Sequence, residues 1–128
     1  MQNLHHEGLD IRVDLGTSGR IGLAWNGRAT SKEPAKILGP FFDDALNLAQ
    51  QTSSWIEMHF EDLEHFNSST IAAVIQFINA AHSRHVDVVI HYDQARKSQQ
   101  LSFEALRRAL RPFESVSGST VKFLPVPR

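Results

Sequence analysis

The stretch Ile56-Glu57-Met58-His59-Phe60-Glu61-Asp62-Leu63-Glu64-His65-Phe66-Asn67-Ser68-Ser69-Thr70-Ile71-Ala72-Ala73-Val74 decides the fold. Ile56, Met58 and Phe60 alternate with Glu57, His59 and Glu61. This period of two marks a strand with one buried and one wet face. A short polar turn follows, and then the longest helix, expected over about Ser68 to Ser83. In that helix Ile71, Val74, Ile75 and Ile78 fall at the spacing of one helical face, with Phe77 and Ala81 widening the stripe.

Working outward, the same strand-then-helix grammar recurs. Upstream, Leu9, Ile11, Val13 and Leu15 alternate with Asp10, Arg12 and Asp14, and Ile21, Leu23 and Trp25 alternate with Arg20, Gly22 and Ala24. Gly16-Thr17-Ser18-Gly19 between them reads as a tight turn, so the two strands form a hairpin. Residues 27–36 read as a polar connection, and Gly39-Pro40 as the opening of a helix that runs to about Gln51 on Phe42, Ala45, Leu46 and Ala49. Downstream, Val86, Val88 and Ile90 alternate with Asp87 and His91. A third helix is expected over about 98–111 on Phe103, Leu106 and Leu110, with Arg107, Arg108 and Arg111 at its C-terminal end, where cations suit the dipole. Val121 and Phe123 close the pattern as a short strand.

The expected fold class is therefore α/β: a single mixed β-sheet, an N-terminal hairpin followed by parallel strands, with three main helices on one face. Right-handed crossovers between strands laid down in sequence order put every helix on the same side. A sheet covered on both faces carries near-continuous apolar strands, whereas these alternate. Asp10, Arg12, Glu57, His59, Asp87, His91 and Lys122 are expected on the uncovered face. Such a one-sided sheet argues against doubly wound nucleotide-binding folds, whose crevice needs a reversal of strand order. The 128 residues suit one domain over 1–128, with residues 1–8 expected as a flexible tail.

Composition narrows the function. Lys and Arg total 13 against 14 Asp and Glu, a net charge of −1, which lacks the basic excess a nucleic-acid binder uses to release counterions. The charge is split along the chain, acidic over 1–66 and basic over 67–128, as suits a surface that steers a protein partner. With no cysteine, thiol catalysis, disulfides and Cys-ligated metals are excluded. The N-terminal residues lack a secretory signal, and no apolar run reaches membrane-spanning length. A cytoplasmic domain without membrane contact is the expectation.

No catalytic or cofactor motif is present: no GxSxG elbow, phosphate loop, GxGxxG or HExxH. Glu61, Asp62 and Glu64 cluster, yet nothing apolar encloses them to raise a carboxyl pKa for acid catalysis. Among the seven histidines, His82 and His85 have a spacing that suits a shared metal, but no third ligand joins them. The reading is therefore no enzyme, no cofactor and no metal. A small histidine-based metal protein or enzyme is the rival from another class. What stands out is Asn67-Ser68-Ser69-Thr70 at the mouth of the long helix. Asn67 or Ser68 supplies the cap there, and the exposed amides and dipole suit a phosphate.

The quoted stretch resembles the central motif of STAS domains, the bacterial anti-sigma-factor antagonists and related transporter modules. Asp62-Leu63 takes the family's early Asp-Leu positions at a shorter spacing, and Asn67-Ser68-Ser69-Thr70 stands where the pattern has Asp-Ser-Ser-Gly. Ala80-Ala81-His82-Ser83-Arg84-His85-Val86-Asp87-Val88-Val89-Ile90 is similar to the family's helix, turn and strand. Leu101-Ser102-Phe103 is similar to the third helix of stand-alone bacterial members. The likeness spans about 9–124, with its motifs confined to 55–92. It implies a non-catalytic signal-transduction module that binds a protein partner through Glu61, Asp62, Glu64, Asn67, Ser68, Ser69 and Thr70, and acts in transcription regulation. It further implies phosphorylation at Ser68 (alternatively Ser69) by an anti-sigma-factor-type serine kinase and reversal by a serine phosphatase. Asn67 for Asp removes a charge beside the acceptor, and Thr70 for Gly stiffens the turn. A constitutive scaffold or homodimerisation module of the same fold is the alternative.

Overall fold

The computed structural model describes residues 1–15, 19–93, 95–111 and 121–126. Its elements run β1 (Leu4–His6), β2 (Leu9–Asp14), β3 (Arg20–Ala29), α1 (Pro34–Thr52), β4 (Trp55–Phe66), α2 (Ser68–Ser83), β5 (Val88–Asp93), α3 (Lys97–Leu110) and β6 (Val121–Val126). The strands form one six-stranded sheet in chain order. β1, β2 and β3 pair antiparallel, and β3, β4, β5 and β6 pair parallel. The mixed sheet with a hairpin leading into parallel strands is thus as expected, with one strand more. Residues Gly16, Thr17 and Ser18 of the expected turn lie outside the described residues.

Alternation in the strands sorts the two faces. Ile11, Leu23, Trp25, Ile56, Met58, Phe60, Val88 and Ile90 are all buried. The helices cover them through aromatic contacts. Phe42 of α1 meets Trp25 at 6.1 Å and Phe77 of α2 at 4.6 Å between ring centroids. Phe103 of α3 meets Phe60 and Tyr92, each at 5.1 Å. Phe60 also touches Trp25 at 4.9 Å and Phe66 at 5.4 Å, so it links β3, the end of β4 and α3. On the opposite face Glu57, His59 and His91 contact one another. No helix among the described residues is long and apolar enough to cross a membrane.

Several boundaries differ from the sequence reading, the first being β3, which runs on to Ala29 through residues expected in the polar connection over 27–36. Within the expected tail, Leu4–His6 form β1, which pairs with β2 through Leu4 opposite Ile11 and His6 opposite Leu9. Helix α1 begins at Pro34, not at Gly39-Pro40. The rule that proline suits the first helical turn was sound, but Pro34 is the residue that obeys it. Pro40 sits inside the helix on its exposed side, and the buried stripe of Leu38, Phe41, Phe42, Ala45, Leu46 and Ala49 runs past it. β4 continues to Phe66, through the residues expected as a turn. Its pairing with β3 shifts register between Ala24 and Asn26, opposite His59 and Asp62, so neither Glu61 nor Asp62 turns into the core before Leu63 does. Asp87, expected on a strand, lies just before β5, where its carbonyl accepts the Ile56 N–H at 2.9 Å.

Candidate functional site

β3, β4 and β5 all point their C-terminal ends toward the same edge, where loops are free to vary and ligands of parallel sheets gather. The β4–α2 junction stands there, and Asn67 organises it. Its backbone is extended, the geometry of a helix N-cap, and its Oδ1 accepts the Thr70 N–H at 2.9 Å. The same oxygen accepts the Thr70 hydroxyl at 2.6 Å. Asn67 Nδ2 donates to the Ser31 carbonyl at 3.0 Å and its N–H to the Ala29 carbonyl at 3.2 Å. One side chain therefore caps α2 and fixes it to the β3–α1 loop.

This settles which residue caps. Ser68 and Ser69 begin the helix, and both are exposed. Neither hydroxyl makes a hydrogen bond among the described residues. Thr70, expected at the partner surface, is only 1% exposed, and its hydroxyl is consumed by Asn67. The correction has a simple cause: at the third position of a helix the side chain turns inward if the stripe that follows includes it. Thr70 thus belongs to the scaffold, while Ser68 and Ser69 belong to the surface.

The carboxylates divide as well. Asp62 and Glu64 are exposed on the C-terminal half of β4. Glu61 instead joins the open face, where its Oε2 lies 3.3 Å from His59 Nδ1. Arg96 closes the corner from the other side by donating to the Leu63 carbonyl at 3.3 Å and pairing with buried Asp93 at 3.5 Å. A small cavity of about 10 Å³ lies between the β1–β2 turn, the end of β3 and the start of α1, with Thr70 also in its lining.

No protein-family model matches the chain, and no curated protein does. Solved structures do. SiaC of Pseudomonas aeruginosa superposes over 100% of both chains with a TM-score of 0.65 at 18% sequence identity. The chain has the SiaC-like fold. A chain in the crystal structure of diguanylate cyclase SiaD in complex with its activator SiaC, also from Pseudomonas aeruginosa, is similar too. There the TM-score is 0.60 at 16% identity, over 95% of this chain and 98% of that one.

A pair of substitutions separates the cap from the surface. Asn67→Ala removes the cap and strands the buried Thr70 hydroxyl, for an expected loss of about 2–4 kcal/mol in chemical denaturation. Ser68→Ala, at an exposed first-turn position with no hydrogen bond to lose, is expected to stay within about 0.5 kcal/mol of wild type.

One grouping escaped the sequence reading. Glu57, His59 and His91 were each expected on the open face, and the structure brings them together. His91 Nε2 lies 2.9 Å and His59 Nε2 3.7 Å from Glu57 Oε1, and the imidazole rings stack at 4.2 Å with planes 9° apart. Burial pushes the Glu57 carboxyl up, but the Trp55 indole N–H, His91 and Arg20 outweigh it and hold the pKa below the ordinary value of 4.5. The signal available in the sequence was the Glu57/His59 spacing of two on one strand face, with His91 on the same face of the next strand.

Proposed function

We propose that the chain is a non-catalytic cytoplasmic regulator that binds and activates a partner enzyme through the Ser68 corner, with Ser68 phosphorylation as the off-switch. The observation that carries this reading is the separation of roles in the first turn of α2. Asn67 does the capping, so the exposed Ser68 hydroxyl can gain or lose a phosphate without the fold being rebuilt. A phosphate at that position adds about −1.5 to −2 charges. It meets the amides and positive end of α2 favourably, and Ser68 is exposed, so its cost falls on a docked partner and not on the helix.

SiaC, whose fold this chain shares, is the activator of a diguanylate cyclase, and a diguanylate cyclase is the partner class we assign here. The STAS-like motif supports a serine kinase and a serine phosphatase acting on Ser68, with Ser69 as the alternate acceptor. It also keeps an anti-sigma-type kinase in view as a binding partner that doubles as the modifying enzyme. Phosphopeptide mapping of the protein isolated from its own cells tests the switch. Phosphate on Ser68 or Ser69 is the expected result. Its absence under all growth conditions leaves a constitutive scaffold or dimerisation module of the same fold.

A further inference from the structure

The open face of the sheet, distinct from the corner in role and in chemistry, carries a set of metal-ligating groups. Among the described residues, Glu57, His59 and His91 place one ligand atom each within 4.8 Å of the others. Their strands fix this: His59 and His91 are register partners on β4 and β5, and Glu57 stands two residues before His59 on the same face. All three side chains are mostly shielded, with Glu57 and His91 each 16% exposed and His59 30%.

We propose that Glu57, His59 and His91 form a divalent transition-metal site of the zinc class, with two imidazole nitrogens and one carboxylate oxygen as ligands and water in the remaining position. Two imidazoles and a carboxylate are the donor set that zinc takes with about 2.0–2.2 Å bonds. The surroundings are already arranged for it. Glu61 Oε2, 3.3 Å from His59 Nδ1, accepts that N–H and so leaves Nε2 as the bare lone pair facing Glu57. Such a carboxylate behind a histidine fixes tautomer and ring angle at metal centres. Trp55 Nε1 donates to Glu57 Oε2 at 3.0 Å, and Arg20 lies 3.8 Å from that same oxygen, so Oε1 is the oxygen turned to both histidines. The Arg20 charge is itself paired with Asp14 at 3.0 Å, and the register also brings Arg12 of β2 and Lys122 of β6 onto this face, in line with His59 and Glu57 respectively.

Binding has a defined geometric cost. The rings stack with planes 9° apart, and a shared ion needs both Nε2 atoms turned toward it. Each ring must therefore tilt about its terminal torsion, a broad and soft one, and His91 must give up its Nε2 hydrogen bond to Glu57. His91 Nε2, which donates its N–H to Glu57, must first pass that proton to its own Nδ1 through solvent, so that the neutral ring presents Nε2 as the ligand atom. The ion would then tie β4 to β5 on the face opposite the buried core. The site does not depend on the Ser68 corner, so either can fail alone.

Calorimetric titration of the full chain with Zn²⁺ tests it. One saturable equivalent is expected, with a rise in the thermal midpoint. That equivalent should vanish in the His59→Ala/His91→Ala double variant and weaken roughly 10–100-fold in Glu61→Gln, which removes only the supporting carboxylate. It should persist in a variant lacking His5, His6, His82 and His85. Circular dichroism of the zinc-free variants checks their folding. Should the double variant fail to fold, imidazole NMR of the wild type decides, with two of the seven rings expected to shift together on zinc addition. No saturable equivalent, binding that survives the double variant, or shifts confined to other rings would overturn the proposal.

Discussion

Phe60→Ala is expected to cost about 3–5 kcal/mol, the range for removing a fully buried aromatic ring. Phe60 is 0% exposed and touches Trp25, Phe66 and Phe103, which belong to three different elements. The loss reaches the corner too. Phe66, the residue before the Asn67 cap, stacks on Phe103 at 5.4 Å and leans on Phe60. Without that ring the end of β4 loses its lateral support, so amide exchange at the start of α2 should quicken along with the fall in global stability. Chemical denaturation gives the first effect and hydrogen exchange the second. A change under about 1 kcal/mol would mean that the cavity collapses freely, contrary to the packing described.

Gly27→Ala should be nearly as damaging, at about 2–5 kcal/mol, for reasons that lie in the backbone. Gly27 has φ of +91°, and a Cβ there would stand 2.0 Å from the Gly8 carbonyl oxygen. That carbonyl is engaged, accepting the Arg28 N–H at 3.1 Å. The close approach of the β1–β2 turn to β3 thus demands glycine twice over, once for its torsion and once for its missing side chain. The expected readout is a lowered denaturation midpoint with an unchanged slope. Wild-type stability in this variant would contradict the described approach of the two backbones.

Much of this fold could be read from the order of residues, because most strands face water on one side only. Ile56, Met58 and Phe60, and likewise Val88 and Ile90, are apolar at every second position for the plain reason that helices cover one face. The failures share a different cause. Glu61 and Asp62 break the alternation because β4 shifts register against β3 there, so a strand half read as a polar turn. The tail's Leu4–His6 carry too little apolar pattern to declare a strand, and their pairing with β2 is a tertiary fact. Of two prolines able to start α1, only packing distinguishes Pro34 from Pro40.

The candidate site divides in the same way. That Asn67-Ser68-Ser69-Thr70 opens a helix was legible from residue type alone. Which oxygen caps was not, since Asn67 and Ser68 are both good caps and the choice rests on where α2 meets Ser31 and Ala29. The pairing of His59 with His91 depends on strand register, which alternation leaves open: it assigns a face to each histidine but no neighbour.

The central claim is that Ser68 governs partner binding and leaves the fold alone. The direct measurement is the affinity of wild type, Ser68→Ala and Ser68→Asp for the purified diguanylate cyclase of the same organism, by calorimetry, beside a melting curve for each. The account expects three folded proteins with closely similar melting, since Ser68 does not cap. It expects Ser68→Ala to bind like wild type, and Ser68→Asp to bind more weakly by about 1–3 kcal/mol, the scale of an unpaired charge at a contact, or roughly 5–150-fold. Equal affinity for Ser68→Asp and wild type, or a Ser68→Asp protein that fails to fold, would contradict it.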